Sequence, residues 1–195
     1  MRTITPDEFR IHKFTFFKQI SKGAVFIHPT DTIYGIGCDA TNEAAVKMLR
    51  DLKEQQHRPI SVIAPDVAWI KEHCMLTKEG EEWLTKLPGP YTIIFKTKHP
   101  KGVNSDCIAP SVHLGTGTVG VRMINHWFQD FVKEYGKPII TTSANKQGKF
   151  YMTEPEKLDP SIAKGILFFI NEGEKKGAAS NLIDLSKDKV DIRKR

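Results

Sequence analysis

Three stretches of the chain collect small polar side chains at the ends of apolar runs. In the first, Ala24-Val25-Phe26-Ile27 feeds into His28-Pro29-Thr30-Asp31-Thr32-Ile33-Tyr34-Gly35-Ile36-Gly37-Cys38. The second is Gly117-Thr118-Val119-Gly120-Val121-Arg122, and the third is Thr141-Thr142-Ser143-Ala144-Asn145. Hydroxyls and backbone N–H groups suit a carboxylate or a phosphate, and arginine can grip either with two parallel hydrogen bonds. Lys53, Arg58, Arg122 and Arg193 are the cations nearest these predicted turns. Any one of them alone reads as a solvated surface charge; their grouping at strand ends makes them candidates. No nucleophile stands beside an evident general base, and Gly-x-Ser-x-Gly, His-Glu-x-x-His and Walker-type Gly-Lys-Ser/Thr patterns are absent. Such a set could promote phosphoryl or nucleotidyl transfer by positioning and charge neutralisation, with no covalent chemistry from the protein.

The elements that position these groups can be read from the periodicity. Thr5-Pro6-Asp7-Glu8 is a capping box with proline at the first helical position; Phe9, Phe16, Phe17 and Ile20 follow on one face, and Gly23 ends the helix. Ala24–Ile27 reads as a buried strand stopped by Pro29, and Gly35 and Gly37 supply positive φ or close approach to a ligand. Thr41 is positioned to cap a helix with Ala44, Ala45, Met48, Leu49 and Leu52 inward. Ile60–Ala64 is the next strand, followed by short helices capped by Asp66 and Thr77 and a break at Pro88-Gly89-Pro90. Tyr91–Lys96 and Thr118–Arg122 are strands on either side of a polar loop, 98–117, long enough to act as a lid. Asn125 is positioned to cap a helix ending at Gly136, Pro138–Thr142 is a strand, and Thr153–Glu156 is a second capping box. Three strand-like runs close the chain: Ile166–Ile170, Asn181–Leu185 and Val190–Arg193. Strands that alternate with helices early and cluster late predict an α/β domain with a mixed sheet.

Composition narrows the class. With 195 residues, 39% hydrophobic and 27% charged, the chain is sized for one globular domain with a real core. No stretch approaches the ~18 apolar residues that a membrane span needs. The charged residues of the first 18 positions exclude a signal peptide. Cys38, Cys74 and Cys107 are odd in number and lack paired metal spacing, which reads as reduced thiols in a cytoplasmic protein. A net charge of +6 favours anionic partners such as nucleotides or RNA, although lysines that only maintain solubility give the same figure.

The polar stretches, taken together and in order, resemble the YrdC/TsaC family, the threonylcarbamoyl-AMP synthases. The resemblance rests on Pro29–Ala40, Leu87-Pro88-Gly89-Pro90-Tyr91-Thr92, Thr118–Arg122, Thr142-Ser143-Ala144-Asn145 and Ser180-Asn181-Leu182-Ile183-Asp184…Ile192-Arg193. It implies a YrdC-like α/β fold, a twisted mixed sheet flanked by helices with a basic concave face, as a single domain over 1–195 without the C-terminal domain of longer members. It also implies a reaction joining L-threonine, bicarbonate and ATP, with Mg²⁺, into threonylcarbamoyl-AMP and pyrophosphate. That product serves the threonylcarbamoyladenosine modification of tRNA, so the partners implied are tRNA or RNA and the threonylcarbamoyl-transfer machinery. By position, Thr32, Arg122, Thr141 and Ser180 fall to threonine. Lys53, Arg58, Thr118, Ser143, Asn145, Tyr151 and Arg193 fall to ATP, with Lys53 and Arg58 as phosphate-neutralising cations.

The chain departs from the family at its Lys-x-Arg-Pro segment. Lys53 is kept, Gln55 stands at the arginine position, and Arg58 comes three residues later in a segment one residue shorter. Ile63 stands where many members have histidine, and Asn181 replaces the usual threonine after Ser180. Two other readings therefore stay beside the synthase: a diverged YciO-like paralogue, and a non-catalytic RNA- or nucleotide-binding module.

Overall fold

Neighbouring residues of a strand face opposite sides of a sheet, and in the central strands here both neighbours are apolar. Phe26 and Ile27, Val62 and Ile63, Ile139 and Ile140, and Phe168 and Phe169 each divide between two separate buried clusters. Such a sheet must be covered on both faces, and it is. The structure, a computed structural model, describes residues 1–98, 107–146, 148–149, 151–187 and 189–194.

The strands are β1 (Arg2–Ile4), β2 (Phe26–His28), β3 (Gly35–Gly37), β4 (Ser61–Ile63), β5 (Tyr91–Lys96), β6 (Thr118–Arg122), β7 (Ile139–Ser143), β8 (Phe168–Ile170), β9 (Asn181–Asp184) and β10 (Asp191–Arg193). They form one mixed sheet in the order β1-β8-β2-β3-β7-β4-β6-β5-β9-β10. β3 runs antiparallel to both β2 and β7, β7 antiparallel to β4, and β4 parallel to β6. Helices α1 (Pro6–Ile11), α2 (Lys13–Ser21) and α7 (Phe128–Tyr135) supply Phe9, Phe16, Ile20, Phe128, Phe131 and Val132 to one core. Helices α3 (Glu43–Lys53), α4 (Val67–His73), α5 (Lys78–Leu84), α6 (Pro110–His113) and α8 (Pro160–Ala163) supply Leu49, Ile70, Leu84, Val112 and Ile162 to the other.

Several local expectations are corrected. The first helix breaks at His12, which ends α1 and starts α2. On a straight helix, residues seven apart stand about 10 Å apart along the axis; the break lets Phe9 and Phe16 stack with centroids 4.9 Å apart. Asn42, not Thr41, caps α3 by accepting from the Ala45 N–H at 3.0 Å, while Thr41 turns back to Asp39. Met48 is exposed and Val46 takes an inward place. Asn125 makes no cap, because α7 begins after Trp127, two residues further on; the Asn125 backbone N–H donates instead to Asp31 Oδ2 at 3.2 Å. The Thr153–Glu156 box yields only a 3-10 turn, Pro155–Lys157, with no side-chain cap. The polar 98–117 loop contains α6, with Val112 and His113 buried; its residues 99–106, and with them the idea of a lid, lie outside the described residues. Gly35 and Gly37 form strand β3 instead of a positive-φ turn. A Cβ at Gly35 would stand 2.8 Å from the His28 ring, and one at Gly37 2.8 Å from the Ile140 carbonyl oxygen. The close approach there is by the protein's own core.

Candidate functional site

Where β2 ends, the chain must leave the sheet and return as β3 within six residues, and Thr30 makes that turn. Its hydroxyl accepts from the N–H groups of Thr32 (3.1 Å) and Ile33 (3.2 Å) and donates to the Ile33 carbonyl (2.6 Å). The turn forms one wall of a cavity of about 450 Å³ over the middle of the sheet. Ser61, Thr92, Arg122 and Thr141–Ser143 come to it from β4, β5, β6 and β7; Lys53, Gln55 and Arg58 come from the end of α3 and the loop after it. Asn145, Tyr151, Ala179 and Ser180 complete the rim. Three cations and nine hydroxyl side chains line this space. A concavity of this composition suits an anion, and among its described lining residues no carboxylate, histidine or cysteine is present to act as a general base.

Arg122 is nearly buried, and its Nη2 donates to Asp31 Oδ1 at 2.8 Å and to the Thr32 hydroxyl at 3.2 Å. Asp31 is itself held by the Asn125 N–H, so the guanidinium is pre-oriented against the turn. Thr32 does not line the cavity directly; its hydroxyl lies between Thr30 Oγ1 and Arg122. Ser180 shares a 2.7 Å hydrogen bond with Thr92, which ties the final segment to β5.

Lys53 is 1% exposed at the last position of α3. Its ammonium donates to the carbonyls of Ser143 (2.5 Å) and Asn145 (2.6 Å) and lies 3.4 Å from Asn145 Oδ1. It therefore shapes the loop that presents the Ser143 and Asn145 side chains, which are hydrogen-bonded to each other at 2.5 Å. Burial lowers the Lys53 pKa to about 8. Glu54, the next residue, adopts the left-handed conformation at φ 54° and pairs with Lys146 at 2.5 Å.

The segment 171–180 crosses the site as a strap. The Tyr34 hydroxyl donates to the Gly173 carbonyl (2.7 Å) and accepts from the Glu172 N–H (2.9 Å). Burial opposes ionisation of the Glu172 carboxyl, but hydrogen bonds from His126, Lys175 and Trp127 outweigh it and hold the pKa at about 2. A Cβ at Gly177 would stand 2.1 Å from the Thr32 carbonyl, so only glycine lets the strap lie on the turn.

Of the residues chosen from the sequence, the structure brings Lys53, Arg58, Arg122, Thr141, Ser143, Asn145, Tyr151 and Ser180 together on the cavity, with Thr32 just behind. Thr118 is at the far end of β6, paired with Lys96 and bonded to Thr116, about 13 Å along the strand from Arg122. Arg193 is exposed on β10 and paired with Asp191 at 2.6 Å. Neither lines the cavity. Sequence reasoning gave no role to Asp31, Ser61 or Thr92; Asp31 and Thr92 lie inside quoted motifs, which was the available signal.

The class this defines is an open α/β sheet whose central strands end in hydroxyls around a cationic cavity, with no carboxylate among the described lining residues. The chain belongs to the Sua5/YciO/YrdC family, whose model, described as telomere recombination, matches residues 18–195. A Stenotrophomonas maltophilia protein named threonylcarbamoyl-AMP synthase is 31% identical over 166 residues, covering 80% of this chain and 83% of that protein. A Vibrio vulnificus protein of the same name is 28% identical over 166 residues, covering 81% and 86%. P. abyssi Sua5, solved with L-threonine, superposes with a TM-score of 0.80 at 25% identity; the match covers 98% of this chain and 56% of that one. E. coli YciO also gives 0.80, at 19% identity, a likeness of fold alone.

Proposed function

We propose that this protein is a threonylcarbamoyl-AMP synthase. The observation that carries the reading is the cavity, without a carboxylate among its described lining residues, with Arg122 on the β6 side and Lys53, Arg58, Ser143 and Asn145 on the α3–β7 side. The threonine amine and bicarbonate give a carbamate and water; a carbamate oxygen then attacks the ATP α-phosphorus, and pyrophosphate leaves. Arg122 suits the threonine carboxylate, since a guanidinium binds carboxylates in a planar fork. Arg58 and the hydroxyl and amide of Ser143 and Asn145 suit the polyphosphate, and the charge of Lys53 adds to the local potential. Mg²⁺ enters as part of the substrate MgATP: phosphate oxygens and water are its usual ligands, and no described lining residue is a carboxylate. The residues thus act by placing two anions and neutralising charge, which is the catalysis this lining allows.

The product would pass to the machinery that modifies tRNA, in the cytoplasm; no helix among the described residues is long and apolar enough to cross a membrane. One observation favours a second reading, a YciO-like paralogue: Gln55 lines the cavity at the position where the family's arginine is expected. Pyrophosphate release from MgATP separates the two. The synthase needs L-threonine and bicarbonate together, whereas release indifferent to either, or none at all, refutes it.

A further inference from the structure

We propose that Arg50, a residue outside the cavity, positions the phosphate-binding loop and holds Arg58 over the site. The proposal rests on the phosphate half of the reading above. Arg50 lies on α3 one turn before Lys53 and is 2% exposed. Its guanidinium donates from Nη1 to the carbonyls of Gln55 (2.8 Å) and Arg58 (3.0 Å), from Nε to that of Ser111 (2.6 Å) and from Nη2 to that of Val112 (3.4 Å). All four acceptors are backbone carbonyls. Glu43, the carboxylate whose charge acts on Arg50, is bonded to Ser111 and paired with Lys47.

A buried charge without a bonded carboxylate is costly, and an apolar side chain would fill a helix–helix contact at less cost. What the guanidinium adds is a fork that fastens two separate chain segments at once. The loop after α3 is anchored at its ends, by the Gln55 N–H on Arg50 O and the Ile60 N–H on Val112 O, both at 3.0 Å. Between those anchors, Arg50 draws the Gln55 and Arg58 carbonyls inward. Both side chains are then left on the cavity side, where the structure places them. Position 55 is glutamine, and the cation of this loop stands at Arg58, between the two anchors. Arg50 supplies the rigidity there.

The test uses inorganic tripolyphosphate and L-threonine as separate probes, by calorimetry, on wild type, Arg50→Lys, Arg58→Gln and the double variant. Lysine keeps the charge and removes the fork. Arg50→Lys should weaken tripolyphosphate about tenfold, on the scale of one charged hydrogen bond, and leave threonine affinity within about twofold. The double variant should bind no more weakly than Arg58→Gln, because Arg50 acts through Arg58. Unchanged tripolyphosphate affinity in Arg50→Lys, losses that multiply in the double variant, parallel loss of both probes, or no binding by wild type would each overturn the proposal. Should Arg50→Lys not fold, Arg50→Gln, which also lacks the fork, takes its place with the same outcomes, and amide exchange must be faster across residues 55–58 in that variant than in wild type; equal exchange overturns the proposal. Pyrophosphate release by wild type is measured alongside, so failure of the synthase reading is seen separately from failure of the Arg50 role.

Discussion

Asp31 and Arg122 form an ion pair at 2.8 Å with side chains only 10% and 7% exposed, at the point where the threonine carboxylate is proposed to bind. Consider Asp31→Asn. The amide keeps one oxygen, which can still accept from either Arg122 or the Asn125 N–H, and turns an NH₂ toward the other donor. One charge-assisted hydrogen bond is lost and a buried guanidinium loses its counter-charge. Removing one partner of a buried pair costs about 3–5 kcal/mol, and the retained hydrogen bond places this case at about 3 kcal/mol. For a chain of this size, each kcal/mol moves the melting temperature by about 2–4 °C, so a fall of about 6–12 °C is expected. A substrate carboxylate would restore the counter-charge. L-Threonine should therefore raise the melting temperature of Asp31→Asn more than that of wild type, where Asp31 competes for the same guanidinium. Thermal unfolding of both proteins across a threonine titration reads this directly. A fall below 2 °C, or equal stabilisation of the two proteins by threonine, would refute the argument that Arg122 is the carboxylate site.

Three further outcomes follow from the site. Ser143→Ala with Asn145→Ala should raise the KM for ATP far more than that for threonine, and steady-state pyrophosphate release with each substrate varied in turn checks it. Glu54→Gly should stabilise the fold by about 0.5–1 kcal/mol, since glycine accepts the φ of 54° without the penalty of a Cβ, and the exposed pair with Lys146 is worth little; a lower urea midpoint would contradict this. Lys53, with its folded pKa lowered from 10.5 to about 8, carries its full burial cost, about 3 kcal/mol, below pH 8. The unfolded chain holds the proton more tightly between pH 8 and 10.5, so wild type should gain about 2 kcal/mol relative to Lys53→Met from pH 7 to 10, measured by urea unfolding; a pH-independent difference would overturn it.

Much of the fold could be read because the central strands are short apolar runs bounded by proline, glycine and hydroxyls. Tyr91–Lys96 and Thr118–Arg122 have the bounds expected of them, and Ile60–Ala64 and Pro138–Thr142 differ only at the ends. β3 was hidden because Gly35-Ile36-Gly37 carries the composition of a turn. Its glycines are there because the His28 ring and the Ile140 carbonyl occupy the space of their side chains, and no local pattern records a neighbour brought in by pairing. The break at His12 was hidden for a similar reason: the apolar spacing of Phe9 and Phe16 suits a continuous helix, and only the stack against Phe168 and Phe131 requires the bend.

The site divides along the same line. Residues inside compact motifs reached the cavity because a motif fixes backbone as well as side chain: Arg122 ends β6, and Ser143 ends β7, directly opposite Gly35. Thr118 shares the motif of Arg122 but not its place, since four residues of strand carry it about 13 Å away. Arg50 had no signal at all. On a helix with Lys47, Asp51 and Lys53 it reads as one more solvated charge, and only folding brings the carbonyls of 55, 58, 111 and 112 around it. What distinguishes a positioning arginine from a surface arginine is a set of backbone acceptors from distant segments. In this chain that set includes the Gln55 and Arg58 carbonyls, so the buried arginine and the loop that carries two cavity-lining side chains form one hydrogen-bonded unit.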